Sequence, residues 1–590
     1  MGKFLKFLTA SCLGTIIGLA VITGLGFLIL TNWASRVNQP QDVEPNSVLV
    51  LTFEDPVPER TNNLEMSPFD LKKTKVLGLQ EIVETLSVAK EDDNIKGIYL
   101  EVDNVQMGYA TSTVLRKALL DFRESGKFVL AYSKYYSQGA YYLSSAADEV
   151  FINPAGELQL KGFAVQIPFF KEMLDKLGID MQTYYAGQFK SATEPYRLNE
   201  MSPQNRLQLR ELLQTFYAIF LDDVAGARNI DQQQLKQIIA DLDAWDPQGA
   251  FENGLVDSVA YKDEALNVVR EKLGLDENDE ITSISMVAYH AGNKPVKNYS
   301  ARNKVAVIYA EGTIVDGDGE VGSIGDLSYA KHIRELRRDD AVEAIVLRVN
   351  SPGGSALASE NIWRELSLAR EEGIPVVVSM GDLAASGGYY ISCMADTIVA
   401  EPNTLTGSIG VFTIIPSFEE LLNEKVGIDF DTVKTAPFAD GLYNTVYDMS
   451  DEKARLIQRE TERTYETFLQ RVADGRGMSR DAVHEIAQGR VWTGRKALEL
   501  GLVDTLGNLD QALDIAVKMA GLEEYRLTEY PEIKDPLQQI MEELTGGGER
   551  RIRAEMKEQL GEWYPYYSQI RDIKSYSGTQ ARLPFFFPWN

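Results

Sequence analysis

The sequence predicts an α/β protein that consists of two related copies in tandem, behind an apolar N-terminal segment. Three observations carry this prediction: a long uncharged run near the N-terminus, an internal repeat at a nearly constant offset, and short β-branched segments that alternate with amphipathic helical patterns. Strands that are continuous apolar runs are typical of parallel sheets covered on both faces. With 590 residues the chain is long enough for this organisation, since a domain usually takes about 100–200 residues.

The N-terminal run predicts a membrane anchor over residues 1–38. Residues 7–35 carry no charged side chain, and a helix of about 20 apolar residues spans a bilayer. Lys3 and Lys6 precede the run while acidic residues follow it, so the positive-inside rule puts the N-terminus in the cytoplasm and the rest of the chain outside. A cleaved signal peptide is the alternative. We disfavour it because the run is longer than an h-region of about 7–15 residues and no A-x-A site follows.

The repeat defines the domains. Gly139–Tyr142 matches Gly387–Tyr390 with the arithmetic 387 − 139 = 248, and Gly178 matches Gly427 at nearly the same offset. We therefore predict one copy over residues 45–295 and a second over residues 303–536, separated by a polar stretch. Residues 537–590 form a predicted tail with a charged helical part and an aromatic end, which packs on a neighbour or a membrane or is loosely ordered. The predicted strands are Val48–Phe53, Ile98–Val102, Phe128–Tyr132 and Glu149–Ile152 in the first copy, and Val305–Tyr309, Ile345–Val349, Val376–Ser379 and Thr397–Ala400 in the second.

One stretch of the second copy, Gly381–Phe412, is typical of a catalytic centre. It predicts a Gly-rich turn, a short helix, a strand and a second turn, and it places Ser386 and Ser408 on turns flanked by glycine. Glycine lets backbone approach a ligand closely and lets amide groups face a developing oxyanion. The candidate oxyanion donors are the backbone amides of Gly353, Gly354 and Gly387. These glycines follow, or lie near, the carboxyl ends of predicted strands, and ligands collect at the carboxyl ends of parallel strands.

Two reactive groups are divided between the copies. Ser408 aligns with Leu160, and Lys190 aligns with Ala439, so each copy keeps one group and lacks the other. A serine hydroxyl needs an adjacent base, and a neutral lysine amine serves if its pKa falls from about 10.4 to about 7–8. Burial in an apolar pocket lowers the pKa in this way, whereas an ion pair with Glu194 would keep the amine charged. Independent losses in two surface loops are the alternative explanation.

The composition limits other classes of function. A net charge of −28 repels phosphate backbones, so we expect no nucleic-acid partner. The two cysteines, Cys12 and Cys393, predict neither a disulfide framework nor a zinc site. The three histidines lack the spacing of metal ligands. We therefore expect no metal and no cofactor.

Four motifs in order resemble the signal peptide peptidase A (protease IV) family in its long, duplicated bacterial form: GQFKSATEP (187–195), NSPGGS (350–355), DLAASGGYYIS (382–392) and TGSIGV (406–411). The resemblance implies tandem crotonase/Clp-protease-like domains and a membrane-anchored serine endopeptidase that degrades cleaved signal peptides and other apolar peptides. It implies Ser408 as nucleophile, Lys190 as general base, a homotetramer, and a catalytic part on the periplasmic side of the inner membrane.

Ser386 is the rival nucleophile, because Clp-like proteases carry their serine on a similar Ala-Ala-Ser turn. Two alternative functions also remain: a crotonase-type lyase that binds CoA, and a catalytically silent membrane scaffold. A lyase would need basic contacts for the CoA phosphates and would have no use for Lys190. The acidic, exterior chain argues against it.

Overall fold

The computed structural model describes residues 43–61, 76–294, 300–532 and 578–583, together with isolated residues 18, 556, 559, 560, 564 and 567. The predicted anchor at residues 1–38 lies outside the described part except for one residue, as does most of the tail from 537 to 577. Among the residues described, no helix is long and apolar enough to cross a membrane.

The first copy contains a parallel sheet of six strands in the order β6-β4-β3-β2-β1-β7, with helices packed on its faces. Its strands are β1 (Ser47–Leu51), β2 (Ile95–Glu101), β3 (Phe128–Ser133), β4 (Glu149–Ile152), β5 (Asp180–Ala186), β6 (Ser258–Val259) and β7 (Ser283–Ser285). Its helices are α1 (Leu79–Glu91), α2 (Tyr109–Arg123), α3 (Gln138–Ser144), α4 (Lys171–Leu177), a 3₁₀ turn (Ser191–Thr193), α5 (Glu194–Arg197), α6 (Pro203–Arg228), α7 (Gln232–Asp241), α8 (Pro247–Glu252), α9 (Lys262–Leu273) and α10 (Met286–Gly292).

The second copy repeats this sheet. Its strands are β8 (Lys304–Glu311), β9 (Thr313–Val315), β10 (Ser323–Gly325), β11 (Val342–Ser351), β12 (Gly353–Ser355), β13 (Val376–Ala385), β14 (Thr397–Ala400), β15 (Leu405–Gly407), β16 (Val411–Ser417), β17 (Val491–Thr493), β18 (Thr505–Leu506), β19 (Arg526–Tyr530) and, from the tail, β20 (Gln580–Arg582). Its helices are α11 (Asp326–Arg337), α12 (Ala356–Glu371), α13 (Gly387–Ser392), a π-helical turn (Leu421–Val426), α14 (Asp451–Arg476), α15 (Arg480–Ile486), α16 (Gly494–Glu499) and α17 (Leu509–Met519).

The strand order shows the duplication directly. In the second copy β18-β14-β13-β11-β8-β19 are neighbours in that order and all parallel, as are β6-β4-β3-β2-β1-β7 in the first. Most β-branched and leucine side chains of the central strands are fully buried on both faces, for example Ile98 and Val129 in one copy and Ile345 and Val377 in the other. This is the burial that continuous apolar runs predict.

The eight strands predicted from the sequence are all present, and three of those in the second copy run longer than predicted. The expected Gly-rich turn after Gly381 is wrong: residues 381–385 continue β13. The cause is a second partner, because Leu383, Ala384 and Ala385 pair in parallel with Leu405, Thr406 and Gly407 of β15. Pairing with β15 satisfies backbone groups that a turn would leave open.

A third sheet joins the two copies. Its order is β10-β9-β12-β20-β16-β5, so a strand of the first copy, β5, lies at the edge of a sheet built from the second. The register of β5 and β16 is antiparallel over seven residue pairs, from Val411 with Ala186 to Ser417 with Asp180. The copies are therefore hydrogen-bonded into one structure at this edge.

Candidate active site

The joining sheet brings the predicted lysine and serine to one place. Lys190 follows the last residue of β5, Ala186, by four positions, and Ser408 precedes the first residue of β16, Val411, by three. Ala186 and Val411 are paired. In an antiparallel pair, the end of one strand lies beside the start of the other, so the two side chains lie at the same end of the sheet.

The two serines also lie side by side. Ala385 and Gly407 are a parallel pair, and Ser386 and Ser408 are the residues that follow them. The amide of Ser386 donates to the carbonyl oxygen of Gly407 at 2.8 Å. Both serines have positive φ, 56° for Ser386 and 52° for Ser408. Such backbone is uncommon outside glycine and occurs disproportionately at active sites.

Lys190 contacts both hydroxyls. Its Nζ lies 2.8 Å from the Oγ of Ser386, 3.0 Å from the Oγ of Ser408 and 3.1 Å from the carbonyl oxygen of Ser408. A charged ammonium would donate all three bonds. A neutral amine donates two and offers one lone pair. The carbonyl oxygen can only accept, and the Ser386 hydroxyl has another acceptor within reach, the carbonyl oxygen of Gly410 at 3.5 Å. When Ser386 donates there, the lone pair is left for the O–H of Ser408.

Burial favours the neutral amine. Lys190 is 1% exposed, and both serines are 0% exposed. Desolvation lowers the pKa of Lys190 well below its usual value of 10.5. Lys190 takes part in none of the ion pairs formed among the described residues. The carboxylate of Glu194 accepts from the Asn205 side chain at 2.9 Å and from the Ser202 amide at 3.2 Å, and its ion-pair partner is Arg197 at 4.0 Å. The competing ion pair with Glu194 that the sequence left open is therefore not formed.

A loop of the second copy holds the lysine against the serine, and sequence reasoning missed it. The carbonyl oxygen of Arg490 accepts from the amide of Ser408 at 2.7 Å, and that of Gln488 accepts from the amide of Phe189 at 2.8 Å. Between them, Gly489 donates to the carbonyl oxygen of Ile409 at 2.8 Å. Residues 488–490 thus bridge the serine turn and the lysine turn.

Gly489 has no room for a side chain. Its φ is +78°, and a Cβ there would lie 2.6 Å from the Cβ of Lys190. Glycine at this position therefore permits the close approach of two backbones. A second support that was missed is Gln208 of α6, whose amide nitrogen donates to the carbonyl oxygen of Phe189 at 3.3 Å while its Oε1 accepts from the amide of Val491 at 3.2 Å.

The three candidate oxyanion glycines lie together but differ in availability. Gly353 and Gly387 are adjacent, since a Cβ on Gly353 would lie 2.5 Å from the amide nitrogen of Gly387. The amide of Gly353 already donates to the Oγ of Ser351 at 3.1 Å. Gly387 occupies the first position of α13, where an amide has no partner within its own helix. The amide of Gly387 is thus better placed as a donor than that of Gly353, while Gly354 pairs with Ala581 of β20.

Each member of the reactive pair aligns with a residue of the opposite copy, and those two residues lie in different environments from the pair. Leu160, the counterpart of Ser408, is buried in the core of the first copy. Ala439, the counterpart of Lys190, is exposed. Within the described residues the pair therefore occurs once, with one member from each copy.

Comparison with known proteins agrees with the duplication. The model of peptidase family S49 matches twice, over residues 121–276 and 368–523. Protease 4 of Salmonella typhi is 37% identical over 501 residues, which is 82% of this chain and 78% of the relative. The chloroplastic serine protease SPPA of Arabidopsis thaliana is 31% identical over 86% of this chain and 74% of its own.

A solved structure of a ClpP1 mutant from Listeria monocytogenes aligns with 35% of this chain and 94% of its own, at 15% identity and a TM-score of 0.24. A score this low carries no argument, so the Clp-protease-like description stays a prediction. The family assignment rests instead on the two matches to the family model and on relatives that align with most of the chain. This chain belongs to peptidase family S49 and is a serine protease.

Proposed function

We propose that the chain is a membrane-anchored Ser-Lys endopeptidase in which Ser408 is the nucleophile and Lys190 the general base. The single observation that carries the proposal is the contact of 3.0 Å between a fully buried lysine amine and the Ser408 hydroxyl. A lysine activated by desolvation replaces the histidine of other serine proteases.

The reaction follows from this geometry. The lone pair of Lys190 takes the proton of Ser408 while its Oγ attacks the carbonyl carbon of the peptide. The oxyanion that forms is stabilised by the amides of Gly354 and Gly387. The ammonium of Lys190 then gives its proton to the leaving amine, and a water molecule repeats the sequence on the acyl-enzyme, releasing the second product and regenerating Ser408.

Ser386 is a positioning residue in this proposal. Its Oγ accepts from the Nζ of Lys190 at 2.8 Å, and its own O–H has the carbonyl oxygen of Gly410 as an acceptor at 3.5 Å. This bond turns the lone pair of the amine towards Ser408. A loss of the Ser386 hydroxyl would therefore slow the reaction without removing the nucleophile.

The cellular setting is part of the proposal. The uncharged run at residues 7–35 supports an inner-membrane anchor with the catalytic part on the periplasmic side. Signal peptides left in that membrane, and other apolar peptides, are then the substrates within reach. A homotetramer of crotonase/Clp-protease-like domains is proposed from the sequence motifs.

A covalent probe tests the assignment. We expect a fluorophosphonate to label the wild-type chain, Ser386→Ala to keep labelling at a reduced rate, and Ser408→Ala to lose it. Labelling that survives in Ser408→Ala and disappears in Ser386→Ala would assign the nucleophile to Ser386. Labelling that persists unchanged in both variants would contradict the choice of either serine as the nucleophile.

A further inference from the structure

Part of the predicted tail lies beside the candidate active site. Residues 578–583, here called the C-terminal segment, include β20, which lies between β12 and β16 in the joining sheet. The pairing with β12 is antiparallel and joins Gly353 to Arg582, Gly354 to Ala581 and Ser355 to Gln580. On its other side, Gln580 pairs with Phe412 of β16. The gap between β12 and β16, here called the cleft, is thus filled by the chain itself.

The hydrogen bonds fix the register of the segment. The amide of Leu583 donates to the carbonyl oxygen of Pro352 at 2.6 Å, and the amide of Ala356 donates to that of Thr579 at 3.2 Å. Hydrogen-bonded pairs alternate in an antiparallel ladder. Gly354 and Ala581 lie midway between these two bonds, so they form the intervening hydrogen-bonded pair.

The carbonyl group of Ala581 faces the candidate oxyanion donors. A Cβ on Gly353 would lie 2.1 Å from its oxygen, and a Cβ on Gly387 would lie 3.0 Å from the same atom. The oxygen therefore occupies the space beside the amides that the proposed mechanism assigns to the oxyanion. Ala581 is 0% exposed and belongs to the same apolar cluster as Ile409 and Val411, which flank the serine turn.

We propose that the C-terminal segment binds in the cleft as a peptide substrate does, with Ala581 in the place of the residue before the scissile bond. The assignment of the cleft rests on the proposed peptidase function. The segment then competes with external peptides for the same site. Because it is tethered, it acts at a high effective concentration. A small residue at this position agrees with its complete burial between glycines.

Kinetics test the competition. In the full-length chain, Ala581→Arg places a long charged side chain in a fully buried position and should expel the segment. We expect KM for a fluorogenic apolar peptide to fall several-fold with kcat unchanged. A synthetic peptide of residues 578–583, acetylated and amidated, should inhibit this variant competitively. The matched control is Ala155→Arg, at an exposed alanine in a turn of the first copy, which should leave KM unchanged. An unchanged or higher KM in Ala581→Arg would overturn the proposal.

A cross-link tests occupancy without relying on hydrolysis. The hydroxyl oxygens of Thr413 and Thr579 lie 3.3 Å apart, so Thr413→Cys with Thr579→Cys should form a disulfide within one chain under mild oxidation. The oxidised form should be inactive towards peptides and regain activity with a reductant. The single variants control for the native cysteines. No cross-link, or one found only between two chains, would contradict the intramolecular segment. If no form of the chain hydrolyses peptides, the peptidase assignment fails while the cross-link still decides whether the segment fills the cleft.

Discussion

The Nζ of Lys190 lies 3.0 Å from the Oγ of Ser408, although 218 positions separate the two residues. Each is supplied by a different copy of the repeat, and the pairing of β5 with β16 brings them together. In the proposed mechanism the two copies therefore share one site, whose integrity depends on the interface between them.

The first prediction concerns the base. Lys190→Met keeps the length and the apolar stem of the side chain but removes the amine, so we expect hydrolysis of a fluorogenic peptide to fall by about 10²–10⁴-fold, the usual contribution of a general base. The variant should fold, because it removes a buried polar group instead of adding one. Thermal unfolding of the two proteins is the control. Near-normal turnover in Lys190→Met would exclude the lysine as base.

The second prediction is the pH dependence of activity. Burial lowers the pKa of Lys190 well below 10.5, and only the neutral amine accepts the proton of Ser408. The value of kcat/KM should therefore rise with pH through the lowered pKa of the folded protein and then level off. A profile that is flat from mildly acidic to alkaline pH would contradict this assignment.

The same shift predicts a change in stability with pH. The unfolded lysine holds its proton up to about pH 10.4, whereas the folded one loses it at the lowered pKa. Between these two values the unfolded state binds more protons, so the free energy of unfolding should increase with pH, by at most about 1.4 kcal/mol per pH unit. Urea unfolding of wild type and Lys190→Met across this window isolates the effect, since other titrating groups cancel in the difference. Equal slopes for the two proteins would show that burial does not hold the amine neutral.

The repeat pointed to Ser408 and Lys190 because it shows what each copy lacks, whereas the choice of Ser408 over Ser386 came from the family resemblance. Ser408 stands against Leu160 and Lys190 against Ala439, and no structure is needed to see it. Strand positions were predictable for a similar reason, since fully buried strands are apolar along their whole length.

The supports of the site were not predictable in this way. Residues 488–490 form a short polar loop without periodicity, and their role depends on contacts with two turns that are distant in sequence. The C-terminal segment pairs with β12 more than 200 positions earlier, and the polar-apolar alternation of Gln580–Leu583 covers only four residues, too few to predict a strand or its partner. The anchor at residues 1–38 remains a prediction outside the described part.

The fourth prediction tests the loop. Gly489→Ala places a Cβ 2.6 Å from the Cβ of Lys190, so we expect the lysine to be displaced and kcat to fall by at least tenfold, because misplacement by about 1 Å costs as much as 10²-fold. Gly427→Ala is the matched control, since Gly427 has nearly the same φ, +79°, but a Cβ there meets no atom within 4 Å. Both variants carry the same backbone strain. Equal activity in the two variants would remove the loop from the support of Lys190.

The fifth prediction concerns a buried ion pair between Glu59, which follows β1 of the first copy, and Arg348 in the sheet of the second copy. Arg348 of β11 donates to both carboxylate oxygens of Glu59, at 2.8 Å and 3.1 Å, and the two side chains are 3% and 4% exposed. Removal of one partner leaves the other charge buried without compensation. Arg348→Met should therefore lower the free energy of unfolding by about 3–5 kcal/mol.

The companion substitution decides whether charge is the cause. Glu59→Gln added to Arg348→Met removes the uncompensated carboxylate, so the double variant should be more stable than Arg348→Met alone, even though it carries one substitution more. The measurement is the midpoint of urea unfolding for wild type, the two single variants and the double variant. If the two effects simply add, the loss in Arg348→Met comes from packing and from its bonds to Ser379 and Met380, and the ion pair contributes nothing of its own to the contact between the copies.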